Sequence, residues 1–262
     1  GVLDFQARVD TRAPKGHTGQ LLLDPTNIYI ADTLGDAQAE GMLGTADNTT
    51  GTPGTTYVFN APGISTQPDD SLLLVSALET ALASSNVEVT TSSGRVGAGN
   101  IVVVSNITKS TGGAAALKLI ANNDVIVKTG VEIKSTSGTL DVVLNADLDA
   151  SGGGAIVMHS GSKIDSNGGS ITLGGGANPS VTATTGNSTN GDGVHLYNAT
   201  LSAGAGAISI RGDAVSGTAT YKHGVKLETS TLRTTSGSIT VTGHGGGSSG
   251  YSDKRGIELL GG

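Results

Sequence analysis

The chain has no cysteine and no tryptophan, and aromatic residues make up only 3% of it. Without cysteine there is no disulfide framework, no thiolate nucleophile and no cysteine metal site. With so few large rings, an ordinary compact globule of 262 residues would lack the side chains that usually dominate its core. Clustered positive charge is missing too: 15 basic residues, only Lys254 and Arg255 of them adjacent, stand against 22 acidic ones, for a net charge of −7. No basic stripe interleaved with aromatics exists, which argues against nucleic acid and anionic lipid as partners. No apolar run is long enough to span a bilayer, and nothing at Gly1 reads as a signal peptide.

Glycine is plentiful instead, at 42 residues, and it punctuates a repeat. Gly193-Val194-His195-Leu196 runs through Thr200-Leu201, Gly206 and Ile208 to Gly212. The same pattern returns 31 residues later, as Gly224-Val225-Lys226-Leu227, Thr231-Leu232, Gly237, Ile239 and Gly243. Apolar anchors fall every seven residues, at Val194, Leu201 and Ile208, then Val225, Leu232 and Ile239. The flanking Val, Ile and Thr alternate with small polar residues and glycine, which marks short strands and turns rather than helical heptads. A fixed period near 30 residues signals a solenoid, whose repeats bury their apolar faces only against one another. The expected fold is all-β: a right-handed parallel β-helix with three short strands and about 30 residues per coil.

Taken in order, Val2–Val9 suggests an edge strand, and Leu21–Ile30 a strand, an Asp24-Pro25 corner and a second strand. Residues 31–70 predict a long loop or small subdomain, with Thr56–Phe59 alone strand-like. One short helix is expected near residues 71–83, with Asp69 and Asp70 at its N-terminus and Leu74, Leu78 and Leu82 on one face. Residues 1–85 therefore pack on or cap the solenoid, and 86–262 form its coils. Val87–Thr90, Ile101–Val104 and Leu117–Ile120 read as one coil; Val125, Ile133 and Leu140 anchor the next, then Ile156, Ile164 and Ile171. The longer gaps between coils fall at one corner, where insertions cost little free energy and binding usually resides.

Stacked coils line up the residue after each anchor on the outer surface. The expected columns are Ile126, Val157, His195, Lys226 and Glu258; then Lys134, Asp165, Ser202 and Arg233; then Asp141, Thr172, Ser209 and Thr240. No column sets two carboxylates side by side, as a β-helical polysaccharide lyase or hydrolase would need, so the chain is expected to be non-catalytic. Lys134 beside Asp165 reads as a surface ion pair. Asp147-Leu148-Asp149-Ala150-Ser151-Gly152 matches the opening of a calcium loop, with Asp147, Asp149 and Ser151 as ligands; the twelfth position is Met158, not Glu, and an Asx turn is the alternative. No other cofactor is indicated. The histidines His17, His159, His195, His223 and His244 lack paired metal spacing and are expected on loops or surfaces.

Leu21-Leu22-Leu23-Asp24-Pro25-Thr26-Asn27-Ile28-Tyr29-Ile30 and Leu140–Asp147 resemble segments of bacterial filamentous-haemagglutinin-type exoproteins. So do Gly152–Ile156 and Ile164–Gly176, and the likeness covers roughly residues 20–262. The resemblance implies a secreted or surface-exposed adhesin or filament scaffold, often exported by a two-partner pathway through an outer-membrane secretion partner. The asparagine-proline motifs of that family's secretion domain are missing, and Gly256–Leu260 opens a fresh repeat, so an internal segment of a longer chain is expected. A host-cell or matrix glycan or protein receptor, bound through loops 31–70 and 174–193, is one expected partner. Self-association into an extracellular fibre, end to end, is the other.

Overall fold

A computed structural model describes residues 20–23, 27–43, 56–58, 70–91, 98–150, 153–216, 222–246 and 255–261. They form a parallel β-helix of three sheets with two short helices at one end. Each complete coil visits the sheets in the order A, C, B. The first runs Ile101–Val103, Ile107–Lys109 and Ala115–Ile120; the second Val125–Val127, Glu132–Ser135 and Leu140–Ala146. The third runs Ile156–Met158, Lys163–Asp165 and Ile171–Gly175; the fourth Val194–Tyr197, Thr200–Ser202 and Ile208–Asp213. The fifth is Val225–Glu228, Thr231–Arg233 and Ile239–His244, and Ile257–Leu260 opens a sixth. Val87–Thr90 therefore belongs to sheet B one coil before Ile101, and Ile107–Lys109 supplies the sheet C strand that the sequence pattern hid.

The core is the inside of this tube. Ile107, Ile133, Ile164, Leu201 and Leu232 stack in register through sheet C. Val125, Ile156, Val194 and Val225 do the same in sheet A, and Leu117, Val142, Ile171 and Ile208 in sheet B. All of these except Leu232 are buried. Branched side chains suit this setting, because each meets its own kind directly above and below. One long polar side chain also enters: Lys109 faces inward, and its ammonium donates to the carbonyls of Thr111, Gly112 and Ser137 at the corner between sheets C and B. Burial pushes its pKa down. The same corner explains a recurring glycine, since a Cβ at Gly206 or Gly237 would sit 2.1 or 2.0 Å from the carbonyl oxygen of the coil below.

The start of the rod is elaborated. Asn27–Ala31 lies in sheet A beside Ile101–Val103 and, on its other edge, beside Asp70–Leu74. Thr56–Val58 pairs antiparallel with that last strand. Between them α1 (Leu34–Ala39) begins at Thr33, whose hydroxyl accepts from Asp36 N while the Asp36 carboxylate accepts from Thr33 N. The region expected to be a long loop or small subdomain thus contains a helix, and its Ala37 packs with Met42, Ala31 and Leu72 on the outside of sheet A.

The predicted helix is α2 (Val75–Leu82), shorter than expected, because Asp70–Leu74 is strand. Asp70 does not cap it; the N-cap is Leu74, without a side-chain hydrogen bond. Val75, Leu78 and Leu82 face the core, and Glu79 accepts from Thr108 N at 2.6 Å. The helix covers the first strand of sheet C, where a further strand would otherwise pair. The expected strand at Val2–Val9 and the Asp24-Pro25 corner lie outside the described residues.

Candidate functional site on the outer face of sheet A

Register decides what shares a surface. Val157 pairs with Ile126 and His195, His195 with Lys226, and Lys226 with Glu258, so the first expected column stands. The second, Lys134, Asp165, Ser202 and Arg233, stands as well. The third is shifted: Val143, not Asp141, pairs with Thr172, because Val142 rather than Leu140 aligns with Ile171. Asp141 faces Ala116 and accepts from Ser170 N. Lys134 is bonded to Glu132 on its own strand at 2.8 Å, not to Asp165. Among the described strand pairs, no carboxylate faces another.

The proposed calcium loop divides. Asp147 is buried with φ +52°, its carboxylate accepting from Gly153 N and its carbonyl from Gly176 N. Asp149 is exposed, and Ser151 lies outside the described residues. Among the described residues, no three His, Asp or Glu side chains gather as a metal site.

The corner between sheets B and A carries the long insertions, and a polar seam stitches it. Asn27 accepts from Gly99 N and Asn100 N and donates to Asp70 at 2.7 Å. Asn100 in turn accepts from Asn123 and from Asp124 N. Asp124 is buried; its carboxylate accepts from Ala155 N, Asn187 and Asn190 at 2.7–2.8 Å. Burial raises its pKa, and those three donors oppose the rise. The 174–193 segment is thereby pinned along the corner. Further on, His223 lies in a connection, as expected of a loop histidine, but is buried there between Asp192 (3.2 Å) and Glu258 (3.3 Å). His17 lies outside the described residues; His159 and His195 are partly exposed, and His244 is exposed. One signal for the seam was available in the sequence: Asn27, Asn100 and Asp124 each immediately precede the first inward Ile or Val of a sheet A strand.

Neither the family models nor the curated proteins yield a match to this chain.

The outer face of sheet A holds the remaining accessible chemistry. Its first half is apolar, with Leu72, Tyr29, Ala31 and Leu74 beneath α1. Burial, with Asp70 and Glu40 nearby, pushes the Tyr29 hydroxyl up to about 12. Glu40, just past α1, bonds Lys128 at 2.8 Å. Beyond it, His159 has its pKa lowered by burial and by the charges of Lys128 and His195. The second half is uncovered. Tyr197 is 46% exposed, its ring centroid 6.5 Å from that of His195 and tilted by 51°. Tyr197 is in register with Glu228, which bonds Lys226 at 3.0 Å and His195 at 3.3 Å. These partners hold the Glu228 carboxyl below its usual range, Lys226 foremost. The surface offers one aromatic face ringed by donors and acceptors on a rigid sheet. Sequence analysis had His195, Lys226 and Glu258 in a column but passed over Tyr197 and Glu228, two residues further along the same strands.

Proposed function

We propose that this chain is a segment of a secreted or surface-exposed bacterial adhesin or filament scaffold, a rigid rod that displays binding loops along one corner. The observation that carries this reading is the distribution of connections. Sheet A passes to sheet C through turns as short as Asn198-Ala199 and Thr229-Ser230, and sheet C passes to sheet B through short turns in every coil. Sheet B returns to sheet A through connections as long as 176–193. Variable loops gathered on one side of a solenoid are its usual recognition surface. Support for the setting comes from the sequence likeness to filamentous-haemagglutinin-type exoproteins, including export through an outer-membrane partner.

Binding of the purified chain to immobilised host-matrix proteins and to cells tests the reading. Replacing residues 177–182 with a short Gly-Ser turn is expected to weaken adhesion while leaving the melting temperature within a few degrees. Undiminished adhesion would move the binding surface elsewhere, and no adhesion by the unaltered chain would remove the reading.

Self-association is favoured by a separate observation. At the last coil, inward-facing Ile239, Ile257 and Leu259 are exposed, and Thr231–Arg233 and Ile239–His244 have no described partner on their outer edges. Such an end can pair with another strand edge. Pairing of such strand edges gives either dimers or an extracellular fibre stacked end to end. Light scattering and negative-stain microscopy distinguish the two, and Leu259→Lys should abolish either.

A further inference from the structure

We propose that the uncovered half of sheet A's outer face binds a neutral sugar ring, with Tyr197 as the stacking platform. The inference rests on the adhesive reading only for its biological setting; the site is argued from its own geometry.

Tyr197 is the only large aromatic side chain exposed among the described residues. Its neighbours on the inner face, Val194 and Leu196, make the core, while Tyr197 points outward beside the corner at Asn198. A tyrosine offers an apolar face and a hydroxyl together, at a small cost in side-chain entropy on binding. Around it, His195, Lys226 and Glu228 present ring nitrogens, an ammonium and a carboxylate from two strands joined residue by residue. The backbone is a continuous parallel ladder, so little ordering is needed when a ligand docks. One aromatic face is too small for the central cluster of a protein interface, which recruits several large anchors. It is the right size for a single ring.

Charge narrows the ligand. Lys226 is held by Glu228, and Glu228 also meets His195. On the next strand Glu258 bonds Arg255 at 3.1 Å and His223 at 3.3 Å. The cations on this face are therefore engaged with carboxylates of the same face, leaving no surplus positive charge for an acidic sugar. Hydroxyl groups, which both donate and accept, match the mixed donors and acceptors that remain. The ligand class expected is a neutral hexopyranose, alone or at the end of an oligosaccharide.

The test uses the full chain with lactose, cellobiose and maltotriose as neutral probes and 3′-sialyllactose as the acidic one. Ligand-observed NMR and calorimetry report binding. At least one neutral probe should bind, and 3′-sialyllactose should bind no tighter than lactose. Tyr197→Ala should weaken binding by about tenfold, about 1.4 kcal/mol, and Tyr197→Phe by no more than about threefold. Because Tyr197 is exposed, both variants should melt with the parent chain. Absence of binding by all neutral probes, or unchanged affinity in Tyr197→Ala, overturns the inference. The adhesion assay run in parallel separates the two ideas. Adhesion with no dependence of sugar binding on Tyr197 removes the platform alone, whereas Tyr197-dependent sugar binding without adhesion removes the adhesive reading alone.

Discussion

Ile107 and Leu232 stand in the same inward column of sheet C, at opposite ends of the rod, and they fare differently. Ile107 is completely buried because α2 lies against its strand, whereas Leu232 is only partly covered. The same contrast runs through the other sheets. Ile208 is fully buried and Ile239, its partner one coil on, is 44% exposed; Leu227 is 8% exposed and Leu259 71%. These partners carry similar side chains at the same position of the repeat. In a solenoid a residue's burial is conferred by the next coil, so the stabilisation it supplies is a property of position along the rod.

That comparison can be broken most directly with core truncations. Ile133→Ala, in the middle of the sheet C stack, should cost about 2–5 kcal/mol in urea unfolding. Ile239→Ala, chemically the same change at the open end, should cost about 1 kcal/mol or less, since half of its surface is already in water. Equal losses at the two sites would mean that the last coil is covered in solution, by another copy or by further chain.

Glycine sharpens the point at the next level. A Cβ at Gly206 would lie 2.1 Å from the Gly169 carbonyl oxygen, whereas one at Gly113 would meet nothing within 4 Å. Both residues sit at the corner between sheets C and B. Gly206→Ala should therefore destabilise by about 1–3 kcal/mol through backbone displacement. Gly113→Ala should change stability by no more than about 0.5 kcal/mol. Similar effects at both would show that conformational freedom, not the close approach of coils, is what glycine provides here.

A smaller effect is expected at the covered end. Glu79→Ala removes the acceptor for Thr108 N, leaving that edge group to water, for about 1 kcal/mol. Amide exchange at Thr108 should accelerate, and exchange at Thr200 should not. Acceleration throughout sheet C would instead mean that α2 as a whole is displaced by the change.

The parts of the molecule legible from sequence are those set by local repetition. The stack of Ile164, Leu201 and Leu232, the columns through His195 and Arg233, and the strands of the last coils follow from spacing alone, because each coil repeats its predecessor's side-chain pattern. Where spacing changes, the reading failed. Ile107–Lys109 was hidden because Lys109, a charged residue, takes an inward position by capping three corner carbonyls. Asp141 was misplaced by two residues because the strand it belongs to extends further at its start than its neighbour does. The helix α1 was announced locally only by its Thr33–Asp36 capping pair, which was passed over, and the strand Asp70–Leu74 escaped because a long-range partner, Asn27, holds Asp70. In the seam, Asp124 is joined to Asn187 and Asn190, residues more than 60 positions away. The local pattern marks only one side of these contacts, Asn100 and Asp124 just ahead of inward Ile101 and Val125, and does not announce Asn187 or Asn190.

The last expected effect concerns proton binding under α1, where the covered half of sheet A differs from the uncovered half. The Tyr29 hydroxyl is raised to about 12 from its ordinary value of 10, chiefly by burial and further by Asp70 and Glu40. A raised folded-state pKa means that the unfolded chain loses this proton first as the pH climbs. The stability Tyr29 contributes is therefore complete below about pH 10 and drains away between about pH 10 and 12. Other groups titrate in that window, so the informative quantity is the difference between the parent chain and Tyr29→Phe, which lacks the ionisable proton. The variant should lose less stability than the parent between pH 10 and 12, and phenolate absorbance should show one fewer late-ionising tyrosine. If the two unfold with the same pH slope, α1 does not seal that half of the sheet in solution, and both halves of the face are open to ligand.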